Sequence, residues 1–212
     1  MSLFHPSSHH AALLRDCKAS SSSKLWLKLF QSFADVPIHP DGIDTRAFLE
    51  ASDGLVGMFD LLGTGIFGFV QADIRSNIKD VRVQYESIDP APLTVERMLP
   101  GACAPSLTRL VRGLAFTCLA LQNMQENPSR ELHVCFKSSY DTVLKHHHSF
   151  VIRSVVYVAL RAVPHRKDFY SRIAQGAPHD KLDEEMRRWL AGLDGIVQRL
   201  KEFLKQGGFG TV

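Results

Sequence analysis

An all-α fold is what this sequence predicts, on three observations. Six or more segments carry apolar residues at every third or fourth position, no stretch alternates apolar and polar residues cleanly, and no internal repeat is present. The chain has 212 residues, of which 45% are hydrophobic and 22% charged, a mix that can bury a core and excludes disorder for most of its length. The formal net charge of +3 is too small an excess to argue for a nucleic-acid binder.

Residues 1–23, His-rich at the start and ending in the run Ser20-Ser21-Ser22-Ser23, have little to bury and read as a mobile tail, leaving 24–212 as a single domain. A first helix is expected from Lys24, with Leu25, Leu29 and Phe33 on one face, ending before Pro37. Asp44 is a credible N-cap for the next, whose apolar positions run from Phe48 to Leu62 and which the turn Gly63-Thr64-Gly65 stops. Ile66, Phe69, Val70, Ile74, Ile78 and Val81 mark a third, and a proline-punctuated connection follows over 88–105.

Leu107, Leu110, Leu114, Cys118 and Leu121 open a further amphipathic helix that cannot continue through Pro128. The apolar stretch over 140–163 has helical period along Leu144, His148, Val151, Ile152, Val155 and Ala159, despite β-branched residues that favour strand locally. A short helix over 167–174 precedes the last one, with Asp180 expected as its cap and a wide stripe from Met186 to Leu204. The longest apolar runs are broken by arginines well before they could span a bilayer, and no secretory signal is legible at the start. Four cysteines at 17, 103, 118 and 135 form neither a C-x-x-C pair nor a regular spacing, which fits a reducing compartment and a cytoplasmic location.

Three polar constellations stand on these helices. His146-His147-His148 offers metal-ligand side chains, but consecutive helical positions diverge by about 100°, so a single inward imidazole between solvated neighbours is the expectation. Asp73 and Asn77, four apart, share a helix face near Phe69 and Val70; such a pair is a solvated face or the rim of a pocket. Arg109 and Arg112, three apart between leucines, bring one guanidinium close to the apolar side, where its stem can snorkel. No nucleophile elbow, phosphate loop, H-E-x-x-H or Rossmann fingerprint accompanies them, so catalytic residues, cofactor and metal are all expected to be none.

The order and spacing of these pieces resemble the glycolipid transfer protein family. The segment Phe67-Gly68-Phe69-Val70-Gln71-Ala72-Asp73-Ile74-Arg75-Ser76-Asn77-Ile78 looks like that family's headgroup helix, and Leu107-Thr108-Arg109-Leu110-Val111-Arg112-Gly113-Leu114 looks like its W-L-K-R-G-L signature. Tyr140-Asp141 through His148-Ser149-Phe150, then Ala162-Val163-Pro164 and Asp168-Phe169, resemble the region that carries the family's histidine. The likeness runs over about residues 43–205.

This resemblance implies a two-layer helical sandwich of about eight helices around an apolar lipid sleeve, moving a ceramide-based sphingolipid between membranes as a monomer. Asp73 is then expected to accept from the lipid amide N–H and His148 to bond its carbonyl, with Asn77, Lys79, Arg109 and Arg112 at the headgroup. The hydrocarbon chains are expected against the apolar faces of 48–62, 107–121 and 151–163. Arg109 stands where the glycolipid branch has Trp and where the ceramide-1-phosphate branch uses Arg, which favours a phosphate. The phosphate branch, however, has further cations at the positions of Asn77 and Pro105, and the glycolipid branch has Lys where this chain has Asp80. Transient peripheral membrane contact is expected through Phe150, in the place of an interfacial Trp, and through Arg161, Arg166 and Lys167.

Overall fold

The computed structural model describes residues 32–62, 68–174, 176 and 178–212. The tail over 1–23, most of the helix expected from Lys24, and the turn at 63–65 lie outside the described residues. Seven α-helices are present among them, against about eight expected: α1 Thr45–Leu62, α2 Gly68–Ser87, α3 Ala104–Glu126, α4 Leu132–Val143, α5 Phe150–Arg161, α6 Arg166–Ala174 and α7 His179–Gln206. The all-α, two-layer reading holds, and no described helix is long and apolar enough to cross a membrane.

The central helix is α3, and its sequence explains why. Pro105 sits in its first turn, where a missing N–H costs nothing, and its C-cap Asn127 immediately precedes Pro128. Leu107, Leu110, Val111, Leu114, Cys118 and Leu121 are all buried, which lets α3 pack against α2, α4 and α7 together. On α7 the whole stripe from Met186 to Leu204 is buried as its period requires. Asp44 caps α1 as expected, its Oδ1 accepting from the Ala47 N–H at 2.9 Å.

Three sequence expectations are corrected. Phe33 lies in a 3-10 turn, Phe33–Asp35, capped by the Ser32 hydroxyl and packed edge-on to Trp189 at 5.4 Å. The single helix expected over 140–163 is two: α4 ends at Val143, a 3-10 turn spans Lys145–His147, and α5 starts at Phe150. His148 has extended backbone there, and the Ser149 side chain accepts from the Ile152 N–H, so a new helix nucleates where the apolar period alone would have continued the old one. Asp180 lies in the first turn of α7 beside the positive end of the helix dipole, while the cap position belongs to Pro178.

A two-residue hairpin, β1 Ile38–His39 with β2 Gly42–Ile43, adds the only strands among the described residues. The turn Pro40-Asp41-Gly42 makes it, with Gly42 at a φ of 154°. Glu96, from the 3-10 turn Val95–Met98, ties it to the helices by accepting from Ile43 N–H at 2.8 Å and Arg199 Nε–H at 2.7 Å.

Gly192 on α7 is where the 3-10 turn crosses the helix, and a Cβ there would overlap the backbone of Ala34 and Phe33. Gly192→Ala is therefore expected to destabilise the fold by about 1–3 kcal/mol, because backbone on both sides cannot yield as a flexible side chain can. A thermal melt checks it, and an unchanged midpoint would show that the turn does not rest on α7.

Candidate functional site

A cavity of about 480 Å³ opens between α2, α3 and α5, floored by α1 and α4. Its walls are mainly apolar: Phe59 from α1, Ile74 from α2, Phe116 from α3, Phe136 from α4, and Val156 and Leu160 from α5. The polar side is made by Asp73, Arg109, Arg112, Tyr140, His147 and His148. The helical period decides which neighbours reach it. Leu107, Leu114 and Leu121 are buried but do not line the cavity, and from the face over 48–62 only Phe59 does, so the chain-lining expectation holds best for α5.

Asp73 is exposed on α2, and Asn77, one turn on, is buried behind it. The Asn77 Nδ2 donates to the Asp73 carbonyl at 2.8 Å and to its Oδ2 at 3.2 Å. Asn77 thus does not line the cavity but orients the carboxylate that does.

His148 is held from both sides. Its Nδ1 lies 3.2 Å from the hydroxyl of buried Tyr140, and its carbonyl accepts from Arg153 Nε at 2.9 Å. Burial pushes its pKa down while Asp73 opposes the shift, so the ring is neutral near pH 7. With Nδ1 accepting from Tyr140, the proton sits on Nε2, which becomes a donor. Tyr140 is itself wedged edge-on against Tyr157, whose hydroxyl donates to Asp141 Oδ1 at 2.7 Å. Asp141 also takes Lys137 and Lys145, and these bonds hold its carboxyl down at about 2.

Arg109 is exposed at the cavity, and Arg112 beside it donates through Nε to the Thr211 carbonyl at 2.8 Å. The C-terminal segment lies along α3 here, with Thr108 Oγ1 also donating to the Phe209 carbonyl at 3.3 Å. Neither arginine forms an ion pair among the described residues. Lys79 is not brought to this cavity; it lines a separate depression with Asp53, Arg75 and Arg82.

The histidine triplet departs from its expectation: His146 is exposed, but His147 as well as His148 faces the cavity. The cause is the 3-10 turn followed by extended backbone, which abandons the 100° spacing of an α-helix. No group of three or more metal-binding side chains occurs among the described residues.

Phe150 is 82% exposed at the start of α5, and Val151, Ile152, Val155 and Val158 are exposed along it. Arg161 and Lys167 are exposed too. Arg166 is different, because its guanidinium donates to the carbonyls of Met124, Asn127 and Arg130 at the end of α3 and lies 5.1 Å from the Tyr170 ring centre. It finishes α3 rather than serving as a free surface cation.

Both buried imidazoles bear on acid stability. Burial and the neighbouring Arg112 push His147 down to about 4, and His148 is also lowered, from an ordinary value of 6.5. Between pH 6.5 and about 4 the unfolded chain binds protons that the folded chain refuses, so stability falls as pH drops through that window. Melting temperatures across pH 7 to 4 are expected to decline; a flat profile would contradict the burial.

An apolar cavity with a polar mouth, held in an all-helical frame, defines a container for an amphipathic molecule. Residues 43–175 match the family model of the glycolipid transfer protein (GLTP). The chain is 35% identical over 183 residues to a glycolipid transfer protein of Aureobasidium melanogenum, covering 83% of this chain and 90% of that one. It is 31% identical over 178 residues to the Danio rerio glycolipid transfer protein, covering 76% and 81%. Among solved structures, the fungal glycolipid transfer protein HET-C2 superposes with a TM-score of 0.79 at 36% identity, over 85% of this chain and 96% of that one. The human ceramide-1-phosphate transfer protein, solved with 12:0 ceramide-1-phosphate, shares the fold with a TM-score of 0.77 at 18% identity, covering 87% and 97%. The chain belongs to the glycolipid transfer protein family.

Proposed function

We propose that this chain carries a ceramide-based sphingolipid between membranes, with a phosphate headgroup preferred over a sugar. The observation that carries the headgroup choice is the pair Arg109 and Arg112, side by side at the cavity without an ion-paired carboxylate among the described residues. Two guanidiniums repel each other, and a phosphate between them relieves that repulsion while accepting bidentate bonds. Asp73 accepts from the lipid amide N–H, and the His148 Nε2–H donates to its carbonyl. Asn77 acts through Asp73 as a positioning residue.

The energetic case for a carrier is the cost of exposing the lipid. Roughly thirty methylenes in water, at ~0.8 kcal/mol each, cost about 24 kcal/mol, and an apolar container offsets most of it. The exposed row from Phe150 to Val158 forms the outer side of the helix whose other residues line the cavity, which supports transient membrane contact there, with Arg161 and Lys167 near anionic headgroups. The reading needs no covalent step, cofactor, metal, nucleic acid or second copy of the chain, and transfer is expected to be unchanged by a chelator.

A second reading, glycosylceramide transfer, is favoured by the glycolipid transfer proteins to which this chain is 31–36% identical. Native mass spectrometry for co-purified lipid, followed by vesicle transfer of ceramide-1-phosphate and galactosylceramide side by side, separates them. Faster movement of galactosylceramide would overturn the phosphate reading. Binding without transfer would make the protein a sphingolipid sensor.

A further inference from the structure

His147 has no role in the assignments above, yet its Nε2 is buried in the wall of the cavity and has no hydrogen-bond partner. Buried polar atoms are almost always bonded, and an orphan inside a ligand cavity marks a group waiting for the ligand. The 3-10 turn Lys145–His147 is what aims it there, with its ring stacked on His146 at 4.1 Å between centroids. We propose that His147 is a headgroup-reading residue, donating its Nε2–H to a headgroup oxygen of the bound lipid, beyond the amide that Asp73 and His148 hold. The inference rests on the cavity being the lipid site.

The surroundings suit that role. Arg112 on α3 and the flanking His146 and His148 all disfavour a charge on His147, whose pKa is pushed down to about 4. A neutral imidazole with its hydrogen on Nε2 offers one directed donor to a phosphate or hydroxyl oxygen without adding a third fixed charge to the arginine pair. Loss of that donor changes selectivity for the headgroup and leaves the grip on the ceramide part untouched.

The test compares His147→Leu and His147→Gln with the wild type, measuring equilibrium binding of ceramide-1-phosphate, galactosylceramide and unsubstituted ceramide, together with the melting temperature. Ceramide carries the amide and chains but no phosphate or sugar. The leucine variant is expected to lose roughly tenfold in affinity for the preferred headgroup lipid relative to ceramide. Glutamine, whose amide nitrogen reaches about as far as Nε2, is expected to restore most of it. An unchanged ratio, or equal losses for all three lipids, overturns the proposal and leaves His147 a packing residue. If the wild type prefers galactosylceramide and the leucine variant loses that preference, the phosphate reading falls and His147 stands. If the wild type binds no headgroup lipid better than ceramide, both fall.

Discussion

Asp73→Val is expected to reduce lipid uptake by about ten- to a hundredfold while leaving the helical content unchanged. The carboxylate is exposed in the empty cavity, so removing it strands no buried partner in the protein; Asn77 keeps its bond to the residue 73 carbonyl. The loss falls on the lipid, whose amide N–H then enters an apolar mouth without an acceptor. His148→Leu should cost a similar factor in uptake but also some stability, because it orphans the hydroxyl of buried Tyr140. Vesicle transfer combined with circular dichroism distinguishes the two effects. Normal transfer by both variants would remove these residues from the site.

Arg109→Trp is expected to lower ceramide-1-phosphate transfer roughly tenfold or more and to raise galactosylceramide transfer above the wild-type level. Arg109 is exposed and donates to nothing within the described chain, so its replacement leaves the fold intact, while Arg112 stays tied to Thr211. An indole at that place presents a flat face on which a neutral sugar stacks, and it removes the cation that a desolvated phosphate needs. The gain on sugar lipids is limited, since Lys79 lies in another depression and cannot assist. Wild-type phosphate-lipid binding should also weaken as salt is raised, an effect that the variant largely loses. Unaltered ceramide-1-phosphate transfer by Arg109→Trp would exclude the guanidinium as a ligand.

Much of the frame was legible because its signals are local. The stripes of α3 and α7 follow from residues three and four apart, Asp44 caps the helix beside it, and Pro128 ends α3 within one residue of the chemistry that forbids its continuation. The position of Lys79 could have been read the same way. Six residues beyond Asp73 is a rotation of about 240° around the helix, which turns it off the Asp73 face. The break before α5 had a signal too, in Ser149, but the apolar period running on through Leu144, His148 and Val151 hid it.

The sequence by itself determined an all-helical chain, its main apolar faces, and the residues Asp73, Arg109, Arg112 and His148 that meet at one cavity. Only the tertiary structure decided what each of them does there. Arg112 is held by a carbonyl 99 residues away, Arg166 is spent on the end of α3, and Tyr140 supplies the bond that fixes the tautomer of His148. His147 was turned inward by a 3-10 turn that no apolar period announces. Periodicity encodes which face of a helix is buried; the partner of a polar atom depends on which distant backbone group arrives beside it, and that is settled only when the helices pack.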